Sequence, residues 1–119
     1  MAEGIANKIL PDMVIESAGT EAHGVNPMAI LVMNEISIPI AHHKSKKIDF
    51  NKIKDFDIVI TLCGDAKDKC PVFDTTTQHI YIGVEDPAIF IGNEYETNKK
   101  YAEVRDILYD KIIKFKKQL

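Results

Sequence analysis

The 119 residues suit one domain of common size, and a hydrophobic content of 45% beside 28% charged residues is ordinary for a globular protein. The net charge of −3 gives no basic surface for nucleic acid or an anionic membrane, and no apolar run approaches the ~20 residues that span a bilayer. Without a targeting signal we expect a cytoplasmic protein, in which two cysteines are more often redox-active, metal-binding or buried than joined in a structural disulfide.

Two helices, a strand and a further short helix are predicted for the first half of the chain. Residues 1–10 place apolar side chains three and four positions apart, which predicts a helix that ends before Pro11. Residues 13–19 are predicted to form a short strand. A second helix is expected from Pro27, because proline suits the first turn of a helix, and a short helix is expected at 50–54. The inward side chains of the second helix are predicted to be Ala29, Ile30, Val32, Met33 and Ile36.

Two strands and a long helix are predicted for the second half. The segment 57–63 is almost uniformly apolar, as expected for a parallel strand covered on both faces. A further strand is predicted at 79–84, and a final helix from about Asn98 to the end. The apolar stripe of that helix consists of Tyr101, Val104, Leu108, Ile112 and Phe115. Strands that alternate with helices predict an α/β fold with a parallel sheet and helices on both faces.

The two cysteines are the first candidates for chemistry. Six residues separate Cys63 from Cys70, and this spacing is compatible with a buried thiol beside an incidental one. A metal site is a second interpretation, although it needs further ligands and His79 is the nearest candidate. A redox pair is a third, because Lys67 and Lys69 between the cysteines favour the thiolate form that attacks disulfides. The spacing alone leaves all three open.

Asp86 is the second candidate, since it follows a predicted strand and precedes Pro87. An aspartate held there can act as a general acid, although an aspartate that merely begins a turn is the commoner case. Ligands of parallel α/β sheets bind beyond the carboxyl ends of the strands, where Gly19, Cys63 and Asp86 would converge on one crevice. Three loop histidines lack metal-ligand spacing and are expected to be surface or hydrogen-bonding residues: His23, His42 and His43.

Seven short segments spread over the chain carry a family resemblance. They are Met1-Ala2-Glu3-Gly4, Ser17-Ala18-Gly19-Thr20, His23-Gly24-Val25-Asn26-Pro27, His43-Lys44-Ser45, Asp57-Ile58-Val59-Ile60-Thr61-Leu62-Cys63 continuing to Cys70-Pro71, Glu85-Asp86-Pro87-Ala88, and Val104-Arg105-Asp106. Together they resemble the low-molecular-weight protein tyrosine phosphatases and, within that superfamily, the thioredoxin-coupled arsenate reductases. The Cys-x6-Cys-Pro segment is the most specific, because ordinary phosphatases of this fold lack it.

The resemblance implies a three-layer α/β/α fold and a relay of cysteines. A loop cysteine of the family attacks arsenate; Cys63 would then attack that cysteine and release arsenite, and Cys70 would produce a Cys63–Cys70 disulfide that thioredoxin reduces. Asp86 would be the proton donor. One branch of the family binds potassium, and Glu3 and Ser17 match its ligand positions together with Asp57. The implied partners are therefore arsenate or a phosphate-like oxyanion and thioredoxin, with no tightly bound cofactor.

One departure from the family pattern concerns the Cys-x5-Arg phosphate loop. That loop and the first strand precede the position of Met1, so we expect 1–119 to be a single domain that lacks both. Arg105 sits in the final helix and cannot replace the loop arginine. Without the amides and cation of the loop there is no preorganised oxyanion site, and we expect this chain not to reduce arsenate. A misassigned start, an in-frame stop or selenocysteine codon, and a remnant gene would each account for the departure.

Two other functions remain open at this stage. One is a phosphatase-like enzyme in which the cysteine pair only protects a nucleophile against oxidation. The other is a non-catalytic module whose thiols sense redox state or bind a metal.

Overall fold

The computed structural model describes residues 1–19, 24–44, 46–49, 51–62 and 77–119. In chain order the elements are α1 (Ala2–Ile9), α2 (Pro27–Asn34), a 3-10 turn (Ile53–Asp55), β1 (Ile58–Thr61), β2 (Gln78–Tyr81), a second 3-10 turn (Pro87–Ile89) and α3 (Glu94–Lys117). The two predicted N-terminal helices are confirmed. Within the described residues, no helix has the length and apolar character that crossing a membrane requires.

The two short helices form where local sequence supports them. α1 turns its apolar face inward, with Ile5 fully buried. Gly4 lies against Ile40, whose Cγ2 would be 2.8 Å from an added Cβ, so a residue without a side chain allows this close approach. α2 begins at Pro27, and the Asn26 side chain caps it by accepting a hydrogen bond of 2.8 Å from the Met28 amide. Of the side chains predicted to face inward, Ala29, Val32 and Met33 are buried, whereas Ile30 and Ile36 are half-buried.

The long helix α3 begins four residues before the predicted start at Asn98. Asn93 and Glu96 form a capping box, in which each side chain accepts from the backbone amide of the other residue, at 2.8 Å and 3.5 Å. Because that box satisfies free amides, the helix extends back to Glu94, and the predicted start was too late. The predicted apolar stripe is confirmed, since all five of its residues are buried: Tyr101, Val104, Leu108, Ile112 and Phe115.

The sheet is parallel, as predicted, and small in the described part of the chain. β1 and β2 pair in register from Ile58 with Gln78 to Thr61 with Tyr81. The strands are shorter than the predicted 57–63 and 79–84, but their pairing continues as single hydrogen bonds, including one of 2.8 Å from the Val84 amide to the Leu62 carbonyl. Within β1, Thr61 is buried and the other three residues are half-buried.

The strand predicted at 13–19 is a second correction. Only Gly19 pairs within the described residues, through a parallel bridge to Lys47 whose two hydrogen bonds measure 2.9 Å each. An ion pair of 3.2 Å between Lys46 and Glu16 joins the same two segments. Val14, which an inward-facing strand would bury, is 87% exposed. A strand requires a ladder of backbone bonds along its length, and the described neighbours supply that ladder only at Gly19.

The core lies where α1 and α2 pack against α3. Its buried members are Ile5, Ala29, Val32, Met33, Ile38, Ile40, Tyr101, Val104, Leu108 and Ile112. The short helix predicted at 50–54 appears as the 3-10 turn Ile53–Asp55, with Ile53 buried. Packing against α1 and α2 therefore fixes the position of α3, and α3 in turn contacts the segment that follows β2.

Candidate functional site

The carboxyl ends of the two strands lie side by side and define the candidate site. The hydrogen bond from Val84 to Leu62 places the chain just before Cys63 next to the chain just before Asp86. Cys63 and Cys70 themselves fall outside the described residues, so their predicted roles stay predictions. Asp86 is described, and it sits at the sheet edge where parallel α/β proteins bind ligands.

Asp86 begins a tight turn. Its backbone is extended, with φ −79° and ψ 113°, and its Oδ1 accepts a hydrogen bond of 3.0 Å from the Ala88 amide. Pro87 follows in the first position of the 3-10 turn, which suits its fixed φ. Both interpretations from the sequence therefore apply: the residue starts a turn, and it presents an exposed carboxyl group at the end of a strand.

Side chains of helix α3 contact the segment around this turn. Tyr101 is buried in the helical core, and its pKa is raised, first by burial and then by the negative charge of Asp86. Lys100 forms an ion pair with Glu85, next to Asp86 in sequence. Lys111 donates a hydrogen bond of 3.0 Å to the Gly83 carbonyl. The sequence did not predict the two lysine contacts, because which segment a helical lysine reaches depends on tertiary packing.

A polar pair lies on one face of the sheet near its carboxyl end. Thr61 Oγ1 and His79 Nε2 are 3.2 Å apart, and Thr61 is buried. His79 was the further ligand considered for a metal site. Among the residues that the structure describes, no three His, Cys, Asp or Glu side chains are grouped so as to hold a metal ion. That result does not test the cysteines, which lie outside the described ranges.

Two of the three residues matched to a potassium site line one pocket. Glu3 and Ser17 line one pocket of about 220 Å³, but Asp57 is not among its lining residues. The Glu3 carboxylate is instead engaged by His43, whose Nδ1 is 3.0 Å from Glu3 Oε2. This confirms the prediction of a hydrogen-bonding histidine at 43. The potassium site therefore stays a prediction, and we derive no step through a potassium ion.

Arg105 is a structural cation, as its position in the final helix predicted. It is buried, and its guanidinium donates 2.7 Å to the Val32 carbonyl at the end of α2 and 3.3 Å to Glu35. A hydrogen bond of 2.9 Å to Asp106 is the largest cause that raises the pKa of Arg105. These contacts hold α2 against α3. The hydrogen-bond partners of the guanidinium therefore lie in the helical layer, not at the strand ends.

The fold is that of a parallel α/β protein of the phosphatase class. The chain matches the low molecular weight phosphotyrosine protein phosphatase family over residues 1–119, and it belongs to that family. A tyrosine phosphatase from Erwinia amylovora superposes with a TM-score of 0.82 at 17% identity, covering 99% of this chain and 82% of that one. The fold is accordingly the three-layer α/β/α fold of these proteins, as the sequence predicted.

Relatives within the family identify the branch that the chain resembles. An arsenate reductase from Oceanobacillus iheyensis is 45% identical over 98% of this chain and 85% of its own length. The arsenate reductase of Bacillus subtilis is 40% identical, over 97% of this chain and 84% of its own length. A solved arsenate reductase in its reduced state superposes with a TM-score of 0.71 at 27% identity, covering 96% of this chain and 83% of that one.

Proposed function

We propose that this chain belongs to a thioredoxin-coupled arsenate reductase and carries the part that resolves the oxidised enzyme. One observation carries the proposal: relatives named arsenate reductase are 40–45% identical over nearly the whole chain. The Cys63–Cys70 spacing supports it, since this pair separates the reductases from ordinary phosphatases of the same fold.

The proposed reaction moves two electrons from thiols to arsenic. Arsenate is first bound covalently by a loop cysteine, with loss of water. The Cys63 thiolate then attacks the sulfur of that cysteine, so a disulfide forms while the sulfur–arsenic bond breaks and its electron pair reduces As(V) to As(III), which leaves as arsenite. Cys70 next attacks Cys63 and releases the loop cysteine as a thiolate. The dithiol of thioredoxin reduces the Cys63–Cys70 disulfide and is itself oxidised.

Asp86 is the proposed proton donor of the first step. A hydroxide leaves poorly unless it is protonated, and a positioned carboxylic acid can supply that proton so that water departs. The exposed turn of Asp86, beside the end of β1, is compatible with this role. A solved arsenate reductase in the phosphate-binding state, 29% identical, supports an oxyanion as the ligand.

We further propose that residues 1–119 alone do not complete the reaction. The chain contains two cysteines and one arginine, Arg105, and the sixth residue after Cys63 or Cys70 is a lysine or a threonine rather than an arginine. No Cys-x5-Arg loop is therefore present within these residues. The Cys63–Cys70 pair can still form and be reduced, because that half-reaction does not need arsenate. Thioredoxin coupling also favours a cytoplasmic location.

Two assays test this proposal. Residues 1–119 are oxidised, and NADPH consumption is followed with thioredoxin and thioredoxin reductase; we expect one equivalent per chain, and none for Cys63→Ser or Cys70→Ser. Arsenate added to the reduced chain is expected to consume no further NADPH. An N-terminal extension from the Bacillus subtilis arsenate reductase, carrying the strand and Cys-x5-Arg loop that the resemblance implies, is then expected to give arsenate turnover that Cys63→Ser abolishes.

A phosphatase is the second candidate, favoured by the family match and by the superposition on the Erwinia amylovora enzyme. The same extended chain separates the two functions. If it hydrolyses p-nitrophenyl phosphate but shows no arsenate turnover, with or without Cys63, the reductase proposal is wrong and the phosphatase proposal stands. Stoichiometric zinc that is lost in Cys70→Ser would instead support a metal-binding module.

A further inference from the structure

We infer that Lys100 and Lys111 of α3 are positioning residues that hold the Asp86 turn against the helix. The two lysines contact the chain that leads into the turn: Lys100 pairs with Glu85, immediately before Asp86, and Lys111 binds Gly83, three residues before it. The importance of this docking for proton donation rests on the proposed function of Asp86. The docking itself does not.

Lys100 makes two contacts with the turn. Its ammonium forms an ion pair with Glu85, and it lies 6.0 Å from the centre of the Phe90 ring. The lysine side chain is 20% exposed, whereas the Glu85 side chain is 58% exposed, so the lysine is partly enclosed. Glu85 lies just before Asp86, and Phe90 lies just after the 3-10 turn. The Lys100 ammonium is therefore near both ends of the segment that presents the Asp86 carboxyl group.

Lys111 extends the same arrangement along the helix. It lies eleven positions after Lys100, and eleven residues at 3.6 per turn return to within about 20° of the same face. Its ammonium donates 3.0 Å to the Gly83 carbonyl, which is a charge-assisted bond to the backbone. One flank of α3 thus carries two cations that reach one loop. A single contact would leave the loop free to pivot, whereas two contacts on one side of it do not.

The docking brings Asp86 into a defined electrostatic setting. The charge of Asp86 acts on Tyr101 of α3, which is itself uncharged at neutral pH. Glu85 is the residue next to Asp86 in the sequence. Lys100 neutralises Glu85 through their ion pair, and this limits repulsion between two adjacent carboxylates. Each lysine contact is half-exposed, so its removal is expected to lower the ratio of docked to open turn by about fivefold, equivalent to ~1 kcal/mol.

The amide proton of Ala88 reports on the turn, because it donates to Asp86 Oδ1. In residues 1–119 labelled with nitrogen-15, this proton is expected to shift downfield as the carboxyl group ionises. We expect the size of that shift to fall in Lys100→Met and in Lys111→Met, and to fall by more than half in the double variant. Lys100→Arg is expected to retain it. Lys99→Met is the matched control, since it removes an exposed lysine from the same helix.

Glu85→Gln breaks the Lys100 pair from the other side and covers the case in which a lysine variant does not fold. We expect the same reduced shift there, with the remaining amide signals unchanged. Wild-type amplitude in both single lysine variants and in Glu85→Gln would overturn the inference. This result is separable from the proposed function: an oxidised chain that thioredoxin fails to reduce leaves the Ala88 measurement intact, and the reverse also holds.

Discussion

Replacing Arg105 with methionine tests the account of the helical layer most severely. Arg105 is 8% exposed, and the variant keeps a long apolar stem but loses the guanidinium that donates 2.7 Å to the Val32 carbonyl. A charge-assisted bond of this kind contributes about 1.5–3 kcal/mol. The ion pairs with Glu35 and Asp106 add little, because those carboxylates are 48% and 66% exposed. We therefore expect a loss of about 2.5 kcal/mol, which lowers Tm by about 10 °C for a domain of this size.

Urea titration followed by circular dichroism measures this loss for Arg105→Met. Arg105→Lys, which keeps a cation and N–H donors but loses the planar fork, is expected to lose less stability than the methionine variant. Asp106→Asn removes only an exposed carboxylate charge and is expected to change stability by less than ~1 kcal/mol. An Arg105→Met protein within ~0.5 kcal/mol of the wild type would refute the reasoning, and it would reopen the question of what the guanidinium is for.

Three further predictions rest on contacts of Gly4, Tyr101 and Asn93. Gly4→Ala gains ~1 kcal/mol of helix propensity but forces its Cβ to 2.8 Å from Ile40, so we expect a net loss of about 1 kcal/mol in thermal denaturation; a gain would contradict it. Tyr101 keeps its proton in the folded state above the ordinary pKa of 10.0, because of burial and then of Asp86, so stability falls as pH rises past 10; Tyr101→Phe should show a smaller alkaline loss by urea titration. Asn93→Ala removes the capping box and should lower the free energy of unfolding by about 1 kcal/mol in urea titration; an unchanged free energy of unfolding would contradict this.

The sequence predicted the helices and their buried faces more reliably than the pairing of strands. Helical periodicity located the stripe of α3 residue by residue, from Tyr101 to Phe115, because each position depends on one local period. The start of α3 was misplaced because the capping signal of Asn93 and Glu96 was overlooked, although it is present in the sequence. The strand at 13–19 was mispredicted for a different reason: a strand exists only where a neighbour completes its ladder, and no local pattern reveals that neighbour.

The candidate site was predicted in part. Asp86 at a strand end followed from the order of elements and from Pro87, and the structure places it there. The lysines that hold its turn could not be predicted, since α3 and the turn meet only through tertiary packing. The matched potassium positions stay a prediction. Glu3 and Ser17 share a pocket, whereas Asp57 does not line it.

The central claim is that Cys63 and Cys70 form a disulfide that thioredoxin reduces. Mass spectrometry of residues 1–119, oxidised and then treated with thioredoxin, thioredoxin reductase and NADPH, tests it most directly. The account predicts an intramolecular Cys63–Cys70 bond that is fully converted to two thiols in this system, at a rate that depends on thioredoxin. A chain that forms no such bond, or whose bond thioredoxin leaves intact while dithiothreitol reduces it, would contradict the account.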